Sequence, residues 1–170
     1  MRGMRMIYKI AAHSDVGIMK KTNQDSVLVK IAQTNHDKVC LCVVCDGMGG
    51  LADGELASAT VIREFDQWFI NKLPGLLETP EFPMDELRVQ WDDLVMRQNK
   101  KLAKYASGIG TRMGTTVVAF LVVDDKYYIM NIGDSRAYMV SDAIYQLTKD
   151  QSLVQQQIDL GLVRPEDAER

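Results

Sequence analysis

The order of patterns along this sequence predicts an antiparallel α+β fold built in layers. Three observations carry that prediction. The first third reads as short strands around a turn, and two long stretches in the middle repeat apolar residues at helical spacing. β-Branched runs separated by tight turns then return. Helices set apart from neighbouring hairpins fit an antiparallel layered fold better than a parallel βαβ sheet, and the helix pair needs a sheet face on which to bury its apolar stripes.

Tyr8 to Ala12 is a candidate strand. Ser26 to Ala32 is a second, with Val27, Val29 and Ile31 alternating against Leu28 and Lys30. Asn35-His36-Asp37 is a turn signal ahead of the strand Lys38 to Cys45, so these two strands form a hairpin. Leu56, Ile62, Phe65, Phe69 and Leu73 then recur at helical spacing, and Pro74-Gly75 closes the run. A second helix opens near Met84-Asp85, with Asp85 near the cap. It carries Leu87, Trp91, Leu94, Val95, Leu102 and Tyr105 as its buried stripe and ends over Ser107 to Gly110. Thr115 to Val123, Lys126 to Ile132, Arg136 to Val140 and Ile144 to Leu147 read as strands, with turns at Asp124-Asp125, Gly133-Asp134-Ser135 and Ser141-Asp142. A last helix runs from Asp150–Ser152 to Leu160, capped by Asp150 or Ser152 and stopped by Gly161.

Composition excludes several classes. With 20 Lys+Arg against 23 Asp+Glu the net charge is −3, which gives no basic footprint for nucleic acid. No apolar run approaches the roughly 18 residues of a membrane span, and the start lacks the apolar stretch of a signal peptide. A cytoplasmic location is the expectation. Cys40, Cys42 and Cys45 fall within Val39 to Cys45, and no fourth ligand lies nearby for zinc. They read as small apolar residues of a core strand.

The segment with most chemistry is Val43-Val44-Cys45-Asp46-Gly47-Met48-Gly49-Gly50. An apolar strand delivers a carboxylate, and a glycine-rich turn leads on to a helix. Hard cations such as Mg²⁺ and Mn²⁺ take carboxylate, carbonyl and water oxygens, and a strand end is a rigid mount for them. Glycine after the aspartate lets its own carbonyl approach closely. Four further segments accompany it. Ser14-Asp15-Val16-Gly17 is followed by Lys20 and by Asn23-Gln24-Asp25-Ser26. Gly114-Thr115-Thr116 opens a strand, and Asn131-Ile132-Gly133-Asp134-Ser135-Arg136 is a tight turn. Leu147 to Val154 turns into the last helix.

These five segments, in this order, resemble the protein phosphatase 2C family of metal-dependent serine/threonine phosphatases in its bacterial form, over roughly Ala11 to Pro165. The resemblance implies two packed antiparallel β-sheets flanked by helices, with residues 1–170 as the larger, N-terminal part of one catalytic domain. It implies a site for two Mn²⁺ or Mg²⁺ ions, with room for a third. Asp46 would bridge the two metals, the Gly47 carbonyl would bind one, and Asp25 would hold metal-associated water. Asp134 would stand near an additional ion. Two cations roughly 3.5–4 Å apart make water nucleophilic at neutral pH and offset phosphoryl charge. No phosphoenzyme is then needed, and no Arg follows Cys45 at a phosphate-loop position. The implied partners are phosphorylated protein substrates and a serine/threonine kinase that the enzyme opposes, with no nucleic acid and no membrane insertion.

Three departures bear on this expectation. Lys20 stands where the family usually has an Arg that grips substrate phosphate, and a lysine is a point charge without a bidentate fork. Met48 stands where some relatives have a His that serves as general acid; His13 reads as structural or solvent-facing instead. The family also carries two further metal-binding aspartates in strands beyond the position of Arg170. If the 170 residues are complete, open sheet edges and weak or absent turnover are expected. The competing readings are a truncated phosphatase-like module that binds without catalysing, and a phosphatase-like regulator of stress or sporulation signalling.

Overall fold

Asp25–Thr34 (β1) and Asp37–Gly49 (β2) form one long antiparallel pair, running from Asp25↔Asp46 to Thr34↔Asp37. The computed structural model describes residues 7–18, 20–34, 37–50, 53–164 and 167. Two helices follow, Asp53–Asn71 (α1) and the single turn Leu73–Leu76 (α2), and then the long Met84–Ile109 (α3). The chain returns to the sheet as Met113–Thr115 (β3), Val117–Val123 (β4) and Lys126–Ile132 (β5). It ends with a hairpin, Tyr138–Val140 (β6) and Ile144–Gln146 (β7), and the helix Leu153–Asp159 (α4). The large sheet has the order β1-β2-β4-β5, with β3 also on β2, and every pairing is antiparallel; β6 and β7 make a second, two-stranded sheet.

Strand periodicity decides which side chains enter the core. Along β2, Val39, Leu41, Val43 and Cys45 are fully buried, while Val44 between them is 42% exposed. The buried set meets α1 and α3, so the helices cover one face of the sheet. From α1 come Ala57, Val61, Phe65 and Trp68, and from α3 come Leu87, Trp91, Leu94 and Leu102. Trp91 is set edge-on against both Phe65 and Trp68, at centroid distances of 5.8 and 5.5 Å. Each such side chain removed from water contributes about 1.5–3 kcal/mol. Gln98, 4% exposed, interrupts the apolar stripe of α3. The opposite face of the sheet carries Val27, Ile31, Val44 and Tyr127, each at least 39% exposed.

Several boundaries differ from those expected, for identifiable reasons. Tyr8 to Ala12 is irregular and not a strand, and the Tyr8 hydroxyl donates to the Lys38 carbonyl at 3.0 Å. Asn35 and His36 of the expected turn lie outside the described residues. Pro74-Gly75 does not stop helical structure but sits inside α2, because proline suits a first turn whose N–H groups have no intrahelical partner. α3 begins after Pro83 with no side-chain cap, so Asp85 lies in the first turn instead of capping it. The strand expected over Thr115 to Val123 is interrupted at Thr116, yet its register on β2 continues unbroken from Gly47↔Thr115 to Val44↔Val118. The cap of α4 is Ser152, whose hydroxyl accepts from the Gln155 N–H, because Asp150 is committed to Arg136. No helix among the described residues is long and apolar enough to cross a membrane.

Ser58 ties the helix layer to the sheet next to the strand tip. Its fully buried hydroxyl donates to the Gln24 carbonyl at 2.7 Å and lies 2.9 Å from Ser26 Oγ. Ser58→Ala is expected to cost about 1–2 kcal/mol, since it strips a buried hydrogen bond and adds no packing. Urea denaturation measures this, and a change under about 0.5 kcal/mol would show that the bond contributes nothing net.

Candidate active site

The end of β2 is built so that the backbone of Asp46 is held while its carboxylate stays accessible. The Asp46 N–H donates to Thr116 Oγ1 at 3.0 Å. Its carbonyl accepts from the Thr116 N–H at 2.9 Å and from Thr115 Oγ1 at 3.0 Å. By strand alternation the side chain points away from the helices, opposite Asp25 on β1, and is 50% exposed. Lys20 Nζ lies 4.0 Å from Asp46 Oδ1. Asx-type contacts shape the segment leading into β1, with the Gly17 N–H on Asp15 Oδ1 at 2.7 Å and the Asp25 N–H on Asn23 Oδ1 at 3.0 Å.

Gly47 is fixed by close approach. A Cβ there would lie 2.0 Å from the carbonyl oxygen of Gly54 in the first turn of α1, and 2.6 Å from the Gln24 carbonyl oxygen. The Gly47 N–H donates to that Gln24 oxygen at 3.1 Å. Gly54 has no more room, since a Cβ on it would meet the Gln24 side chain at 2.8 Å and the Gly47 carbonyl carbon at 2.9 Å. Strand tip and helix start therefore meet backbone to backbone.

The turn carrying Asp134 is joined to the strand tip through Thr116, whose Oγ1 lies 2.7 Å from Ser135 Oγ. Gly133, at φ +96, holds that turn where a Cβ would press on the Thr116 side chain at 2.8 Å. Arg136 does not pair with Asp134. It forks onto Asp150 at 2.8 and 2.6 Å and holds that carboxyl below the usual range.

The electrostatics of this end are those of an anionic site short of positive charge. Partial burial pushes the Asp46 carboxyl above its ordinary value, and the negative charge of Asp25 adds to this. Lys20 opposes the shift, while a hydrogen bond with Asp25 and the charge of Asp134 raise it further. A hard divalent cation relieves such crowding of oxygen ligands. The residues fit that role by their chemistry, with three carboxylates of which Asp25 and Asp134 are exposed and Asp46 half exposed, beside a glycine that admits no side chain. Among the described residues no three of His, Cys, Asp and Glu form an ion-holding cluster by themselves. The cysteines stand apart from this chemistry. Burial pushes Cys45 up to about 12. Cys40 and Cys42 share a contact at 3.9 Å between their sulfurs that brings Cys42 down to about 7 and raises Cys40 well above the ordinary thiol range.

The structure thus brings Asp25, Asp46, Asp134 and Lys20 to one end of the sheet, while Lys21 and His13 are exposed near the entry to β1. Sequence reading missed Thr116, Ser135, Gln24 and Gly54 as supports of this end. Thr116 stood in a noted motif, but its link to Ser135 spans 19 residues and has no local signature. Gly54 looks like any glycine near a helix start.

An antiparallel sheet with helices on one face carries Asp25, Asp46, Asp134 and Lys20 at one end. Residues 13–156 match the family model for protein phosphatase 2C. The chain belongs to the protein phosphatase 2C family. It is 32% identical over 171 residues to the serine/threonine protein phosphatase PstP of Mycobacterium tuberculosis, an alignment covering 99% of this chain and 30% of that protein. It is 34% identical over 159 residues to the serine/threonine phosphatase stp of Listeria innocua, covering 91% and 59%. Among solved structures, Stp1 of Staphylococcus aureus superposes with a TM-score of 0.74 at 30% identity, over 98% of this chain and 64% of that one. The catalytic domain of PstP in complex with two manganese ions gives 0.71 at 33%, over 93% and 62%. The chain therefore spans less than two thirds of the length of these relatives.

Proposed function

We propose that this protein hydrolyses phosphoserine and phosphothreonine in other proteins, using Mn²⁺ or Mg²⁺ held at the Asp46 end of the sheet. The observation that carries this reading is the strand tip, where an accessible carboxylate on a locked backbone faces a second carboxylate, with Asp134 and one lysine around it. Family membership and the manganese-bound relative support it. The metal would be held by Asp46 and the Gly47 carbonyl, with Asp134 serving an additional ion. When bound it supplies Lewis acidity that activates water toward phosphorus. The remaining work belongs to the chain itself. Asp25, across the strand pair from Asp46, would orient the attacking water by accepting its hydrogen bond. Lys20 faces the same end and would draw the phosphate oxygens in. Residues 1–170 belong to one such catalytic domain, which would act in the cytoplasm on the targets of a serine/threonine kinase.

The test is phosphate release from a phosphoserine peptide by the full-length protein with and without Mn²⁺. Metal-dependent release lost in Asp46→Asn is the expected result, whereas no release with a folded protein would favour a non-catalytic binding module. Lys20 gives a second expectation. Lys20→Arg restores a two-pronged donor and should lower KM for the phosphopeptide about three- to tenfold with kcat little changed. An unchanged KM would remove Lys20 from the phosphate site.

A further inference from the structure

Asp134 is exposed, and among the described residues its side chain makes no hydrogen bond or ion pair, so the backbone of its turn sets where the carboxylate stands. That turn is anchored on two sides. On one, the Gly133 carbonyl accepts from the Gln151 N–H at 2.8 Å. On the other, Ser135 Oγ lies 2.7 Å from Thr116 Oγ1, and Gly133 packs so closely on the Thr116 side chain that a Cβ would meet it at 2.8 Å. Thr116 is 2% exposed, and the same Oγ1 accepts the Asp46 N–H at 3.0 Å. One buried hydroxyl therefore touches both the backbone of Asp46 and the turn that carries Asp134. Its own proton is free for Ser135, because the Asp46 N–H occupies only a lone pair. Shielded from water, such a bond is electrostatically stronger than one on the surface.

We propose that Thr116 and Ser135 are positioning residues that fix the Asp134 carboxylate relative to Asp46, and so set how tightly the Asp134 side takes up its additional divalent ion. The inference rests on the cation site proposed above and adds what tunes it. The two carboxylates repel, since the charge of Asp134 is felt at Asp46. Without the hydroxyl pair the turn would relax outward, and an incoming cation would have to draw it back. The pair holds the spacing in advance and removes that cost, as outer partners of metal ligands commonly do. Both residues act on the carboxylates through the backbone.

The test is a Mn²⁺ titration of the full-length protein, with free Mn²⁺ read by electron paramagnetic resonance. The wild type should hold a weaker ion, beside its tight ones, that Asp134→Asn removes. Ser135→Ala should weaken that ion about tenfold and the tight ones less than about twofold. Ser135→Thr, which keeps the hydroxyl, should restore it. Added to Asp134→Asn, Ser135→Ala should change nothing further, because its route to the ion is already gone. A lowered Tm with unchanged Mn²⁺ affinity, or equal weakening of every ion, would make the pair merely structural and overturn the proposal. No saturable uptake by the wild type would overturn the cation site and this inference with it, whereas normal uptake unmoved by Ser135→Ala overturns the inference alone. Should Ser135→Ala fail to fold, Ser135→Cys, whose thiol is a weak hydrogen-bonding partner, takes its place with the same expectation.

Discussion

Gly47→Ala should be among the most destabilising single substitutions in this protein, costing about 3 kcal/mol or more. The added methyl would sit 2.0 Å from the Gly54 carbonyl oxygen and 2.6 Å from that of Gln24. Both neighbours are backbone, so no rotamer change relieves the clash. Either β2 or the first turn of α1 must move, and movement breaks the 3.1 Å bond from the Gly47 N–H to Gln24. Gly75→Ala is the control, because a Cβ there meets nothing within 4 Å, and alanine at a helical position is neutral to mildly stabilising. Urea unfolding of the two variants side by side separates the cases. A Gly47→Ala midpoint close to that of wild type would mean that the strand tip and helix start are not in backbone contact.

Asp46→Asn is expected to lower metal-dependent turnover by about a thousandfold and to raise the stability of the metal-free protein at neutral pH. The two effects have one cause. Partial burial and the charges of Asp25 and Asp134 raise the carboxyl above its ordinary value, so the folded state prefers the neutral form. When pH exceeds the folded value, the group is ionised in both states and its penalty is fully present. As pH falls through the folded value the native protein takes up a proton first and the penalty shrinks. It is gone below the unfolded value of about 3.9. The carboxylate is half exposed and Lys20 stands beside it, so solvent screening keeps the effect modest, a rise in Tm of about 1–3 °C at pH 7. Calorimetry of both proteins from pH 4 to 8 should show the gap closing toward acid. A variant less stable than wild type at pH 7 would show that the Lys20 contact outweighs the repulsion.

Much of this was readable from local pattern, and what was not has a physical reason. Lys126–Ile132 is a strand at the boundaries expected, since it is β-rich and bounded by turn residues on both sides. Asp46 was visible because a long apolar run gives way to Asp-Gly, but the glycine turn expected after it is strand: β2 runs on to Gly49, because Gly47 to Gly49 find ladder partners in Met113–Thr115. Tyr8 to Ala12 has the composition of a strand, but strands exist only as ladders, and composition does not reveal whether a neighbour is present. Pro74 was misjudged because proline both ends helices and begins them, and only the three-dimensional path of the chain decides which. The contacts that hold the site, Thr116 with Ser135 and Gly47 with Gly54, arise from tertiary approach between segments that carry no mark of each other.

The unbroken register between β2 and the strands on either side has a consequence for folding fidelity. Displacing β2 by one residue would exchange Cys45 and Asp46 between its two faces, sending a carboxylate under the helices and a thiol into solvent. Such a misfolded species would keep nearly the same backbone spectrum while losing its chemistry. The tight glycine junction, together with the threonine clasp on the Asp46 backbone, acts as a vernier that admits only one alignment, so correct threading and a competent carboxylate arrive together.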